Sequence, residues 1–461
     1  MNLKMESLIK RDNIIPNIHY AGIILSLVTV LIGYLYVGTA HIVICYLLLP
    51  VAIFLIALES ERFGILRYPE TKLLPALFAV VLLSTLTNLG YADAKENVSQ
   101  YASLVVTATL CGTFAYVFPK EERSMRFEIL CWLYSVPVAI CAIPGLWIGI
   151  RGLRQSDGFM LGYIGFDERL YLILNPNVLG ICCALAISLI LYLLMKQGSI
   201  FRKLILSVLA LLSFALLVLT DCRTALYAVL PSVFLFAVLA VCQRTKPDKK
   251  LYRVLIGVGT GASMCLLIVV LNKPLQSLLM RAEPVTAETL AEVGITDADY
   301  DPRAYEGTID ERLTLWTHAL TTFIRDPYHW AFGATPAGAL GRYNDPAMQK
   351  DHFHNGYLGI LLSYGVVGFL IFVIFLVVLA VKSCILLFSS KEVPAEERFL
   401  PAILTVALAS NLMEEMFFTR SFLSETSIFL CVVSGMIFCH SREWKKKKPA
   451  EEGNPMKSQS L

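Results

Sequence analysis

About twelve apolar runs follow one another along this chain, most of them close to the ~20 residues that a helix needs to cross the hydrocarbon core of a bilayer. They fall near 20–38, 40–58, 73–88, 98–118, 129–150, 177–195, 203–220, 224–242, 252–271, 355–381, 399–417 and 424–440. Hydrophobic residues make up 56% of the 461 and charged residues only 16%, a balance that excludes an ordinary soluble domain. The expected fold is therefore all-α: a polytopic integral membrane protein with about 12 transmembrane helices. The first run has no small-residue cleavage site and is followed at once by further runs, so it is expected to remain as the first helix.

Lysine and arginine placement orients the chain. With both termini cytoplasmic, the inside segments collect 26 of the 39 basic residues, including Lys445 to Lys448. The remaining 13 lie outside, seven of them in one long polar insert, whose length lets it cross regardless of charge. The expected organisation is nine transmembrane helices over 1–271, an extracytoplasmic loop domain over 272–354, three further helices over 355–440, and a basic cytoplasmic tail over 441–461. The tail fits an anchor against anionic headgroups better than a nucleic-acid contact. All twelve cysteines lie in or beside the apolar runs and none in the insert, so the loop domain has no disulfide bracing and the thiols read as small packing residues.

Residues 283–311 hold nine acids against one base, Arg303, without the spacing of a calcium loop, and read as a solvated arm. Thr308-Ile309-Asp310-Glu311 then has the form of a capping box, which predicts a helix start. From it Arg312, Trp316, Ala319 and Phe323 recur at helical spacing, with Leu313 and Leu320 extending the apolar stripe, so an amphipathic helix of about four turns is expected outside or along the membrane. Pro327 and Gly333-Ala334-Thr335-Pro336 break the pattern into loop.

Charged and titratable groups at membrane depth are costly and mark candidate sites. Arg223, in Thr220-Asp221-Cys222-Arg223-Thr224, sits in a very short turn between two runs. Arg312, one helical turn before Trp316, offers a planar cation beside an aromatic surface, suited to an anionic, sugar-bearing ligand. His354 opens the run at 355–381, where the positive end of a helix dipole disfavours imidazolium and leaves a base, with Asp351 as the expected N-cap. His352 faces another side of that turn. Asp351, His352 and His354 lack a second ligand cluster, so neither a metal nor any other cofactor is expected. Asn411-Leu412-Met413-Glu414-Glu415 places two carboxylates near the outer end of a helix, positioned to pair with a site arginine or Arg420.

Taken in order, Asn175-Pro176-Asn177, Thr220 to Thr224, Arg312-Leu313-Thr314-Leu315-Trp316, His354-Asn355-Gly356-Tyr357-Leu358 with Gly365 and Gly368, and Asn411 to Glu414 resemble the O-antigen ligase and Wzy-type polymerase family of bacterial membrane glycosyltransferases. The resemblance implies a GT-C-type, metal-independent enzyme of the inner membrane. Such an enzyme moves a glycan from undecaprenyl diphosphate, at the extracytoplasmic face, onto a hydroxyl of a glycan, lipid or protein acceptor. It implies Arg223 and Arg312 as neutralisers of the leaving diphosphate and His354 as the base. Trp316, His352, Asn355, Glu414 and Arg169, the last in Asp167-Glu168-Arg169-Leu170-Tyr171, are then substrate contacts. Cys222 stands where the family has serine. Ligase and polymerase differ only in the acceptor. A transporter or flippase of lipid-linked glycans is the rival from another class, and paired broken helices would be its mark.

Overall fold

The computed structural model describes residues 14–33, 47–53, 71–90, 94–153, 161–165, 168–172, 174–244, 250–281, 309–344, 353–388, 393–414 and 424–451. Among these the chain is helical almost throughout. Helices α1 (Ile14–Gly33), α2 (Leu73–Thr87), α3 (Ala94–Val106), a π turn at Thr107–Cys111, α4 (Gly112–Val117), α5 (Lys120–Ile140) and α6 (Ala142–Arg151) lead to a short antiparallel hairpin. Its strands, β1 (Tyr163–Ile164) and β2 (Leu170–Tyr171), pair Tyr163 with Tyr171. There follow α7 (Pro176–Met195), α8 (Ile200–Thr220), α9 (Arg223–Arg244), α10 (Lys250–Leu279), α11 (Ile309–Ile324), α12 (Pro336–Tyr343), α13 (Gly356–Leu387), α14 (Ala395–Ser410) and α15 (Glu425–Glu451).

Seven stretches among the described residues are long and apolar enough to cross a membrane: α1, α5 with α6, α7, α8, α9, α10 and α13. Two more, Pro75–Thr87 and Glu425–His440, are apolar but shorter. This is an all-α integral membrane protein. Most of the run at 40–58 lies outside the described residues, and the run at 399–417 is helical only to Ser410, where the backbone turns at Asn411. Where the hydropathy pattern ends at 271, α10 continues to Leu279, because Asn272 and Gln276 are buried on it and Gln276 Nε2 donates to Glu168 O at 3.4 Å.

The centre of the bundle is α7, almost wholly buried between α5, α8, α9 and α14. Its small residues, Gly180, Cys182, Cys183, Ala184, Ala186 and Ser188, let neighbouring backbones approach, and in lipid close packing and interhelical hydrogen bonds replace the hydrophobic drive. Ser188 donates to the Ser232 hydroxyl at 2.8 Å, which donates in turn to Ala402 O.

Helix α13 is broken at Gly365, where φ is +67° and ψ −172°, a conformation essentially confined to glycine. The break leaves main-chain groups without helical partners, and the segment 330–335 supplies them. Ala334 N donates to Leu362 O (3.0 Å), Thr335 N to Ser363 O (2.9 Å), Val366 N to Trp330 O (2.7 Å) and Val367 N to Ala331 O (3.2 Å). Backbones meet so closely that a Cβ on Gly365 would lie 2.5 Å from the Ala331 carbonyl carbon. The break is thus filled by the chain itself, which satisfies the polar backbone that a membrane would otherwise leave unpaired.

A second, small core lies over this break: Leu315, Ala319 and Phe323 of α11, Ala334, Ala339 and Tyr343 around α12, and Phe353, Leu358 and Leu362. The predicted helix of about four turns is present as α11, while Thr308 of the capping box lies outside the described residues. Leu313 and Leu320, expected to extend the apolar stripe, are exposed. The buried line is 315, 319 and 323, a strict four-residue repeat, and both leucines fall to its flanks.

Candidate active site

One end of the bundle gathers the starts of α7, α9 and α13 and the ends of α8, α10 and α14. Local sequence explains each terminus. Pro176 occupies the first turn of α7, where its missing N–H costs nothing, and the Asn175 side chain accepts from Asn177 N at 2.9 Å. Asp221 closes α8 in the left-handed conformation (φ 45°), and its carboxylate receives Lys273 Nζ from α10. Asn355 caps α13 by accepting from Leu358 N at 3.0 Å. Gly356 follows because a Cβ there would sit 2.0 Å from Asn411 Oδ1, and Gly356 N donates to Asn411 O at 2.8 Å.

At this junction Glu414 is buried, and three side chains from distant parts of the chain converge on it. Asn177 Nδ2 donates to Oε1 at 2.9 Å, Arg312 NH2 lies 3.4 Å from the same oxygen, and His354 Nδ1 lies 3.4 Å from Oε2. Arg312 NH1 also donates to Met413 O at 3.1 Å, while Arg312 Nε has no hydrogen-bond partner among the described residues. Asn177 extends the network, since its Oδ1 accepts from Arg169 NH2, and Arg169 Nε donates to Thr220 O at 2.8 Å. The buried Arg169 therefore ties the hairpin to the ends of α7 and α8. Its guanidinium is engaged by protein groups on both sides.

The other expected site residues are distributed as follows. Arg223 is the first residue of α9 and is exposed at the same end, next to Cys222, whose thiol points at Asn177 O. Burial pushes the Cys222 thiol up to about 11, against the smaller opposing effects of a backbone hydrogen bond and the Arg169 charge, so it is held as a neutral thiol. Trp316 is half-buried and commits its indole N–H to Phe353 O at 2.7 Å, which fixes the backbone just before His354. Asn355 is occupied as the helix cap. His352, Asp351, Glu415 and Arg420 lie outside the described residues.

The position of His354 differs from the sequence expectation. It does not lie in the first turn of α13 but one residue ahead of the Asn355 cap, in the left-handed region at φ 52°, and Asp351 is not the cap. From there its ring faces the Glu414 carboxylate. A non-glycine residue held there stores roughly 1–2 kcal/mol, the kind of local strain that clusters at functional sites. Sequence reasoning had not assigned Asn177 a role. Its only local signal was the Asn-Pro-Asn helix start.

Residues 208–373 match the family model described as O-antigen ligase. No curated protein matches the chain. The family match covers Arg223, Arg312, Trp316 and His354 but begins after Arg169 and Asn177 and ends before Glu414. The carboxylate on which Arg312 and His354 converge thus comes from beyond the O-antigen ligase stretch. The matched stretch is thus similar to the O-antigen ligase family of surface polysaccharide synthesis, and the long apolar helices are those of a membrane protein.

Proposed function

We propose that the Glu414 junction transfers a glycan from undecaprenyl diphosphate to an acceptor hydroxyl at the extracytoplasmic face of the bacterial inner membrane. The observation that carries this reading is the sharing of one buried carboxylate by an arginine and a histidine. A carboxylate on Nδ1 selects the tautomer with its proton there, which makes Nε2 the proton acceptor and stabilises the imidazolium that forms. The acceptor oxygen attacks the anomeric carbon, its proton passes to His354 Nε2, and the bond from that carbon to the diphosphate oxygen breaks. Charge then develops on the departing diphosphate, where arginine forks are matched to phosphate oxygens and preorganised cations have most effect.

Arg223, exposed at the start of α9, and Arg312, through its unpartnered Nε, are the groups for that role. Glu414 is then an orienting residue and not a substrate contact, and Arg169 and Asn177 act behind it. The transporter reading needs a broken helix that lines a path, whereas the break in α13 is filled by residues 330–335. The test is Arg223→Ala, Arg312→Ala and His354→Ala in a strain lacking the native gene. Each variant should insert normally and fail to transfer; a correctly inserted, active His354→Ala protein removes the base assignment.

A further inference from the structure

Away from Glu414, a second polar cluster joins α2 to the small core that carries Arg312 and His354. His329, in the 3₁₀ turn Pro327–His329, is buried, with its side chain 1% exposed. Its Nδ1 lies 2.8 Å from Asp326 Oδ2 and its Nε2 lies 3.0 Å from Asn88 Oδ1, just beyond α2. The orientation of the Asn88 amide is fixed independently of the histidine, because Nδ2 donates to Ser84 O at 2.8 Å and to Gly333 O at 3.1 Å. Flipping it would set an oxygen against two carbonyl oxygens. Both ring nitrogens therefore face acceptors, and only a doubly protonated ring donates to both.

We propose that His329 is a buried imidazolium that pins the Arg312 and His354 subdomain to α2, and so acts as a positioning residue for the junction. The charges facing it fit this assignment. Asp326 Oδ2 also accepts from Arg342 Nε at 2.7 Å and from Tyr343 OH at 3.2 Å, so one carboxylate collects donors from the 3₁₀ turn and from α12. Burial alone would raise the Asp326 carboxyl, but His329 and Arg342 outweigh it and hold it below its ordinary value. Tyr328 packs edge-on against the ring, 4.8 Å between centroids, and Asn88 contributes no charge from the α2 side. The pin sits where segment 330–335 enters the break in α13, so it fixes the end of α11 and the first half of α13 together. That part of the proposal rests on the transfer reading above; the charge state does not.

The charge state is read by ¹⁵N-histidine NMR of the full chain in nanodiscs, with the His329 signals assigned by their loss in His329→Gln. Both ring nitrogens should carry protons in the folded protein. A spectrum with no persistent imidazolium overturns the proposal whether or not the variant folds, and so does a persistent one that survives in His329→Gln. Should that variant fail to fold, removing the other histidines in turn gives the same assignment. For positioning, Asp326→Asn should move the alkaline limit of transfer to lower pH, at least tenfold in rate at the wild-type midpoint. A uniform loss across all pH values assigns a purely structural role and overturns the positioning claim, whereas an inactive wild type under every condition would indict the transfer reading instead.

Discussion

Replacing Glu414 by glutamine isolates what the shared carboxylate does, because size and most packing are kept. The carboxylate accepts on Oε1 from Asn177 and Arg312 and faces His354 Nδ1 with Oε2. Glutamine has one acceptor oxygen; if that oxygen stays with Asn177 and Arg312, its NH₂ is turned toward Nδ1. The ring must then carry its proton on Nε2, the nitrogen required to take one. Loss of a correctly oriented base costs about 10²–10⁴ in rate, and the comparable tautomer error in a serine protease triad reaches about 10⁴. That is about 2.7–5.4 kcal/mol of barrier. Stability should change less, since the bond from Arg312 stays charge-assisted while the one from Asn177 passes from ~1.5–3 kcal/mol to a neutral ~0.5–1.5 kcal/mol. The two effects separate experimentally. Initial rates of glycan transfer from a purified lipid-linked donor in nanodiscs should fall by at least a hundredfold, while the unfolding temperature moves by only a few degrees. A Glu414→Gln enzyme within tenfold of wild type would refute the orienting role.

Other substitutions follow from close contacts and burial. Gly356→Ala drives a Cβ into Asn411 and should cost about 1–3 kcal/mol or more, displacing His354 with it; thermal unfolding and transfer rate should fall together. Gly365→Ala combines a glycine-only conformation with contact against Ala331, so it should lower yield and expose segment 330–335 to limited proteolysis. Cys222→Ala and Cys222→Ser should both retain transfer, and thiol reagents should act slowly, because the thiol is buried and raised to about 11; loss of activity in both would revive a nucleophilic role. The lowered Asp326 carboxyl contributes stability that is present above the ordinary carboxylate range and disappears as pH falls through its folded value. Acid unfolding should therefore begin at higher pH in Arg342→Ala than in the native protein.

Much of this arrangement was legible in the sequence, and the rest was hidden for identifiable reasons. Apolar runs reveal membrane helices because backbone groups in lipid must bond within their own segment. The cost of charge at membrane depth singled out Arg223, Arg312 and Glu414. The bond from Asn177 to Glu414 joins residues 237 apart, and no local period carries that information. Hydropathy likewise reads α13 as one uninterrupted helix, since the break at Gly365 changes φ and not polarity. His354 was placed in the helix because its neighbours are helical, but Asn355 is the better cap and leaves the histidine outside it. Leu313 and Leu320 were misassigned because hydrophobicity alone does not say which side of α11 meets the second core.

The central claim is that this junction joins a lipid-linked glycan to a hydroxyl. Its most direct test is mass and ladder analysis of undecaprenyl-linked glycans in a strain lacking the gene, complemented with the native protein or with His354→Ala. The account predicts that donor accumulates in the deletion strain and with His354→Ala but is consumed with the native protein; single repeats would mark a polymerase and full-length chains a ligase. An unchanged profile of lipid-linked glycans in the deletion strain would contradict it.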